Sequence, residues 1–253
     1  MHTDFVAAPV ARPDNAVSDG AEQASRCPAR LHTEGTLKGD ALSMLMGTPV
    51  PRLPREECIR MDAPYEGLFR LDEGACLGYR ILRDGRRQIV AIHLPGDVIN
   101  PDCLVCGVSR QAVVPATFSR LAFAPLGALK AAAGNDPAIG WLLARETARQ
   151  LAIFEARICS LGRRTALERI AFLLCEIYWR SAMRGLAAND RCALPLTQND
   201  ISDALGMSVV HANRVLKVLR QRGFAALEGG RLHIGDWDRL ARFADFDGGY
   251  LLG

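Results

Sequence analysis

The chain has 253 residues, room for two modest domains or one large one. Its apolar fraction of 49% is ordinary for a globular protein, and a formal charge of +3 is too small to argue for a nucleic-acid partner by itself. No run of 18 apolar residues occurs and the N-terminus lacks a basic stretch before an apolar core, so neither a membrane span nor secretion is expected. Eight scattered cysteines suit reduced thiols and a cytoplasmic setting better than a disulfide framework.

Residues 1–40 are rich in Ala, Pro, Asp, Ser and Gly with little periodicity, and read as a disordered tail. A short helix is expected at 42–46. Beyond Pro54, short runs at 67–71, 75–82 and 87–94 read as strands, separated by the turn groups Asp72-Glu73-Gly74, Asp84-Gly85 and Pro95-Gly96-Asp97. Two more are expected between Arg110 and Ala124. The pattern is that of a small antiparallel barrel or sandwich over 41–135.

Asp136 and Pro137 supply a cap and a first-turn proline for a long helix over 136–162. Ile139, Leu143, Thr147, Leu151, Phe154, Ile158 and Leu161 recur at steps of three and four along about 39 Å. Such a stripe needs a cover, either the chain's own β domain or, the favoured reading, the same helix of a second copy in a parallel coiled coil. Gly162 is expected to end it. Arg163, Arg164 and Thr165 lead into another helix, with Leu167, Ile170, Ala171, Leu174, Ile177 and Tyr178 as its core stripe. Between Arg145 and Arg184 eight Arg face four Glu, an excess compatible with a phosphate-facing surface, although a solvated face is the commoner arrangement.

The most informative stretch is 196–230. Thr197 and Asp200 form the [ST]-x-x-[DE] helix start, and Gly206 stops that helix after Ile201, Ala204 and Leu205. Ser208 caps a second helix, so two helices meet at a Gly-containing turn, as in a helix-turn-helix. At 100° per residue Ala212, Val215, Leu216 and Leu219 point inward, while Val210, Asn213, Arg214, Lys217 and Gln221 point outward. Arg can fork onto guanine and Asn can pair with adenine, whereas Lys217, Arg220 and Arg222 suit phosphates. Runs at 224–227 and 231–234 around Gly229-Gly230 make a hairpin wing, and a closing helix follows at 236–246. The candidate DNA-contacting set is Thr197, Gln198, Ser208, Val209, Val210, His211, Asn213, Arg214 and Lys217, with double-stranded DNA as the partner.

Three segments give the chain a resemblance to the Crp/Fnr superfamily of bacterial transcription regulators: 84–88 (Asp-Gly-Arg-Arg-Gln), 94–97 (Leu-Pro-Gly-Asp) and 196–230. The resemblance implies an α+β fold: an N-terminal antiparallel β-roll of the double-stranded β-helix (jelly-roll) type, a long dimerisation helix, and a C-terminal winged helix-turn-helix over 163–245. It also implies a homodimer on a pseudo-palindromic site and contact with RNA polymerase. In the family the recognition helix begins at a Ser or Thr, here Ser208, and carries a base-reading Arg, here Arg214. The Glu common between them falls at Val210, which suits a thymine methyl. His211 fits a cap or a phosphate contact better than base reading.

The family's effector sites match poorly. Cyclic-nucleotide members carry Gly-Glu after the Pro-Gly-Asp turn and then an Arg; here only Asp102 and Arg110 stand near those places. Iron–sulfur members cluster cysteines near the N-terminus, where this chain has only Cys27. Cys103 and Cys106 form the one close pair, too few for a four-ligand zinc or cluster site, and are candidates for a redox dithiol or for two ordinary sheet residues; Cys58 or Cys76 are the residues that could join them. His93 fits a hydrogen-bonded strand residue better than a haem ligand. No cofactor is therefore expected. No nucleophile-and-base pair, phosphate loop or HExxH motif suggests an enzyme. The competing reading is a small-molecule or redox sensor acting through protein contacts alone.

Overall fold

The structure, a computed structural model, describes residues 41–252; the N-terminal tail and Cys27 lie outside them. A short helix α1 (Ala41–Leu45) leads into β1 (Val50–Arg52), β2 (Gly67–Glu73), β3 (Cys76–Ile81), β4 (Arg87–His93) and β5 (Val98–Ile99). A one-turn helix α2 (Cys103–Cys106), β6 (Ala112–Pro115) and β7 (Ser119–Pro125) complete this part. Two antiparallel sheets result, in the orders β1-β7-β2-β5 and β4-β3-β6. Leu71, Ile99 and Leu121 of the first pack on Cys76 and Val113 of the second, which closes the β-roll around an apolar centre. Positive φ at Gly74 and Gly85 makes the turns that the Glu-Gly and Asp-Gly pairs announce.

The following helix, α3 (Leu126–Asn135), is not anticipated by the sequence reading. Its Ala-rich run between Gly127 and Gly134 carries almost no apolar period; it is held by Leu129, buried against Leu68 and Val98. Next comes α4 (Pro137–Arg163), whose start is as expected: the Asp136 carboxylate accepts from the Ala138 N–H at 2.9 Å. Its end is not. The helix runs through Gly162, because an interior glycine costs only about 1 kcal/mol and breaks nothing. It stops where Arg164 turns extended and Thr165 opens α5 (Ala166–Ala182) with a reciprocal capping box to Glu168.

The expected single stripe on α4 proves to be two. Ile139, Glu146, Ile153 and Ser160, at steps of seven, are buried within the protomer. Trp141, Ala144, Ala148, Leu151, Glu155, Ile158 and Gly162 alternate steps of three and four on the other side, and all are exposed. Trp141 is 78%, Leu151 57% and Ile158 68% accessible. The residues singled out from sequence straddle both faces: Ile139 is buried, Leu143, Phe154 and Leu161 half-buried, and Thr147, Leu151 and Ile158 exposed.

After α5 come β8 (Ala187–Ala188), β9 (Arg191–Ala193), α6 (Gln198–Leu205), α7 (Val209–Gln221), β10 (Ala225–Glu228), β11 (Arg231–Ile234), α8 (Trp237–Ala244) and a final 3-10 turn (Gly248–Leu251). The sheet order β10-β11-β9-β8 adds two strands to the expected hairpin. Helix α5 is the centre of this part: every residue from Ile170 to Ser181 is buried, and Trp179 and Phe172 meet Trp237, Phe246 and Tyr250 of the C-terminal segment.

Candidate nucleic-acid interface

The turn between α6 and α7 follows the local chemistry closely. The Asp200 carboxylate accepts from the Thr197 N–H at 3.0 Å and hydroxyl at 2.6 Å, and the Thr197 hydroxyl accepts from the Asp200 N–H at 3.1 Å. Gly206 ends α6 at φ 61°, a left-handed conformation open to glycine without steric cost. The Ser208 hydroxyl then accepts from the His211 N–H at 3.2 Å. His211 thus supplies a capped backbone amide while its ring is exposed.

Helix α7 divides as its periodicity requires. Ala212, Val215 and Leu219 are buried, and Leu216 is half-buried. Val210, 68% accessible, leads the outer face with His211, Arg214, Lys217, Arg220 and Gln221. Val209 and Asn213 are half-buried at its margin. Asn213 points its Oδ1 inward, shielded and without a hydrogen-bond partner. Bidentate pairing with adenine needs both the amide oxygen and nitrogen turned out, so Asn213 must change rotamer to read it. Thr197, Gln198, Asn213, Lys217, Arg220 and the wing turn Gly229-Gly230-Arg231 line one open groove of about 400 Å³. Arg231 was not singled out from sequence; its place directly after the Gly-Gly turn was the available signal. Among the described residues, Arg214, Lys217, Arg220 and Arg231 are in no ion pair within the chain.

The Arg-rich stretch behind this head does something different from the phosphate surface that its charge excess suggested. Asp97, in the Pro-Gly-Asp turn, accepts from Arg149 of α4 at 2.9 Å, from Arg180 of α5 at 2.5 Å and from Arg184 at 2.6 Å. Its Oδ2 also takes the Leu94 N–H at 2.7 Å. Buried Glu176 accepts from Arg157 at 2.8 Å and from Arg180 at 3.0 Å. Burial alone would raise the Asp97 carboxyl, but Arg180, Arg184 and Arg149 outweigh it and hold that group well below the ordinary carboxylate range. Burial likewise opposes ionisation of Glu176, and Arg157 and Arg180 reverse the effect. Four of the eight Arg are thus fasteners between β-roll, long helix and head.

His93 of β4 adjoins this cluster, buried, and its Nε2 has no hydrogen-bond partner among the described residues. Burial pushes its pKa down to about 4, with Asp97 only partly opposing. The unfolded chain then takes up a proton below about pH 6.5 that the folded chain refuses until about pH 4, so stability falls as pH drops through that window. We expect about 2 kcal/mol to be lost between pH 7 and pH 5 from this residue. Urea titrations at the two pH values should show that difference in the native protein and lose most of it in His93→Leu.

The proposed effector and redox residues are not assembled. Arg110 is exposed and pairs with Asp62 at 3.4 Å, not with Asp102, whose carboxylate meets the Cys103 thiol at 3.9 Å. Cys103 is buried and its neighbour Cys106 exposed, both as free thiols. Burial lifts the Cys103 thiol to about 12, which leaves almost no thiolate at neutral pH. Cys58 and Cys76 do pack in the same core, also as free thiols. Among the described residues no group of three His, Cys, Asp or Glu side chains is arranged to hold a metal ion, so these residues do not fit an iron–sulfur cluster. The cavity beside His93, Asp97 and Phe154 measures about 20 Å³, room for one water and not for a nucleotide.

A β-roll joined by a long helix to a winged helix-turn-helix with unpaired outward cations defines a DNA-binding transcription regulator. Comparison with known proteins places it further. A Crp-like helix-turn-helix domain matches residues 168–243. The nitrogen fixation regulation protein FixK of Bradyrhizobium diazoefficiens is 31% identical over 180 residues, 70% of this chain and 73% of that protein. The transcriptional activator protein anr of Pseudomonas aeruginosa is 28% identical over 217 residues, 85% and 86% of the two chains. The solved structure of FixK2 from Bradyrhizobium japonicum superposes with a TM-score of 0.69 at 32% identity, covering 78% of this chain and 96% of that one. The chain belongs to the Crp/Fnr family of transcription regulators.

Proposed function

We propose that the protein acts as a homodimer which reads a pseudo-palindromic DNA site through α7, in the cytoplasm, and that it is a regulator with no enzymatic activity. The observation that carries this reading is the outer face of α7, where Arg214, Lys217 and Arg220 stand exposed, without internal partners, beside Arg231 of the wing. Arg214 and Asn213 read bases, Val210 meets a thymine methyl, and Thr197, Gln198, Ser208, Val209, His211 and Lys217 hold the backbone. The working division is a tail at 1–40, a sensor at 41–135, a dimer helix at 136–162 and a reading head at 163–245. Contact with RNA polymerase follows from the family. Among the described residues no helix is long and apolar enough to cross a membrane.

The exposed seven-residue repeat on α4 supports the dimer. Trp141, Leu151 and Ile158 present a largely apolar seam with small Ala144 and Ala148 between them and Glu155 within it, spaced as a pair of parallel helices uses, while the opposite face is buried within the protomer. Selection from random duplexes should enrich two inverted half-sites with centres about 34 Å apart. Leu151→Glu should give a monomer by native mass and abolish binding to the selected site; enrichment of a single asymmetric half-site by the native protein would defeat the proposal.

A further inference from the structure

The long helix and the Asp97 cluster both hold the reading head to the rest of the protomer, and a further attachment joins its helix-turn-helix to the β-roll. Arg87, at the start of β4, reaches across to α6, the first helix of the helix-turn-helix. Its Nη2 donates to Asp200 at 2.6 Å and its Nε to Asp203 at 2.8 Å. The next residue, Gln88, donates to the Ala204 carbonyl at 3.2 Å. Beneath these bonds Ile89 lies in the same core cluster as Ala204 and Leu205. The contact is half-closed to solvent: Arg87 keeps 22% of its side-chain surface, Asp203 31% and Asp200 5%.

Asp200 is the informative member. One oxygen takes the Arg87 guanidinium, and the other holds the Thr197 amide and hydroxyl. A single carboxylate therefore links a β-roll cation to the N-terminus of α6, where Thr197 and Gln198 line the groove beside the recognition helix.

We propose that Arg87 is a positioning residue for DNA reading: it clamps α6 to the β-roll and holds α7 in its binding orientation. This rests on the reading that α7 binds DNA. Arg87 itself touches no DNA in this scheme. Its removal lowers the fraction of molecules in the competent orientation and raises the apparent Kd in proportion.

The test uses the full-length protein and a duplex selected by the native chain. Arg87→Ala should bind about tenfold more weakly, as expected if the competent fraction falls to a tenth. Its dependence on salt should match the native protein, whereas loss of a direct phosphate contact from both protomers would lower that slope by about two. Asp203→Asn, on the rim of the contact, should reproduce part of the loss, and the double variant should bind no worse than Arg87→Ala alone. It also keeps the test open should Arg87→Ala fold poorly. Unchanged or tighter binding by Arg87→Ala, a reduced salt slope, or additive losses in the double variant would each overturn the proposal. Failure of the native protein to bind any duplex would instead remove the reading beneath it.

Discussion

Arg214→Ala should lower affinity for the selected duplex by about thirtyfold or more and relax the preference at one base pair of each half-site, since a forked Arg–guanine contact is worth about 1–3 kcal/mol and the dimer loses two. The side chain is exposed and makes no ion pair within the chain, so the fold has nothing to lose by its removal. Urea unfolding of the variant should therefore follow the native curve. Lys217→Ala makes the contrast. A phosphate contact carries no sequence information, so its loss from both protomers should weaken all duplexes alike and lower the salt slope by about two. Selection by Arg214→Ala of the same bases with unchanged affinity would show that recognition does not run through this helix, and would favour a sensor acting through protein contacts.

Asp97→Asn should destabilise the folded protein by about 3–5 kcal/mol, the usual cost of removing one member of a buried ion cluster. Asp97 and Arg180 are both nearly inaccessible, and Arg149 and Arg184 converge on the same carboxylate. An amide cannot balance the guanidinium groups that converge on it: Arg184 would lose its one ion pair, and Arg149 and Arg180 would keep only Glu146 and Glu176. Arg180→Met should cost less, because Asp97 keeps two partners and Glu176 keeps Arg157. The two variants share partners, so the double variant should be clearly less damaged than the sum. The folded carboxylates titrate below their unfolded counterparts, so what they contribute is present above the unfolded carboxylate range and lost as pH falls through the folded pKa. That loss lies on the acid side of the His93 window. A loss under about 1 kcal/mol for Asp97→Asn would mean that the cluster relaxes readily into water.

The cluster also shows what the charge count along 145–184 leaves open. The excess of Arg is compatible with a phosphate-facing surface or with a solvated face, because spacing within one helix says nothing about what a side chain meets from another. Asp97 lies 52 residues from Arg149 and 83 from Arg180. The same gap hides the Arg87–Asp200 contact, 113 residues apart along the chain. The single stripe expected on α4 fails for a related reason: one face is buried within the protomer and another is exposed, and Leu143, Phe154 and Leu161 fall between them.

Helix caps, left-handed glycines and the 3.6-residue period act between neighbours a few residues apart, and they alone laid out the reading head: Thr197 with Asp200, Gly206, Ser208, and the division of α7 into Val215 and Leu219 against Arg214 and Lys217. The β-roll strands were legible for the same reason, from runs bounded by Asp-Gly and Pro-Gly-Asp turns. What required the assembled chain was everything joining these units: the Ala-rich α3, the burial of His93, the separation of Cys103 from Cys106 by exposure, and the ion pairs that orient head on roll. Those features depend on Coulomb and desolvation terms between groups that meet only after the chain has folded back on itself, and no local pattern encodes such meetings.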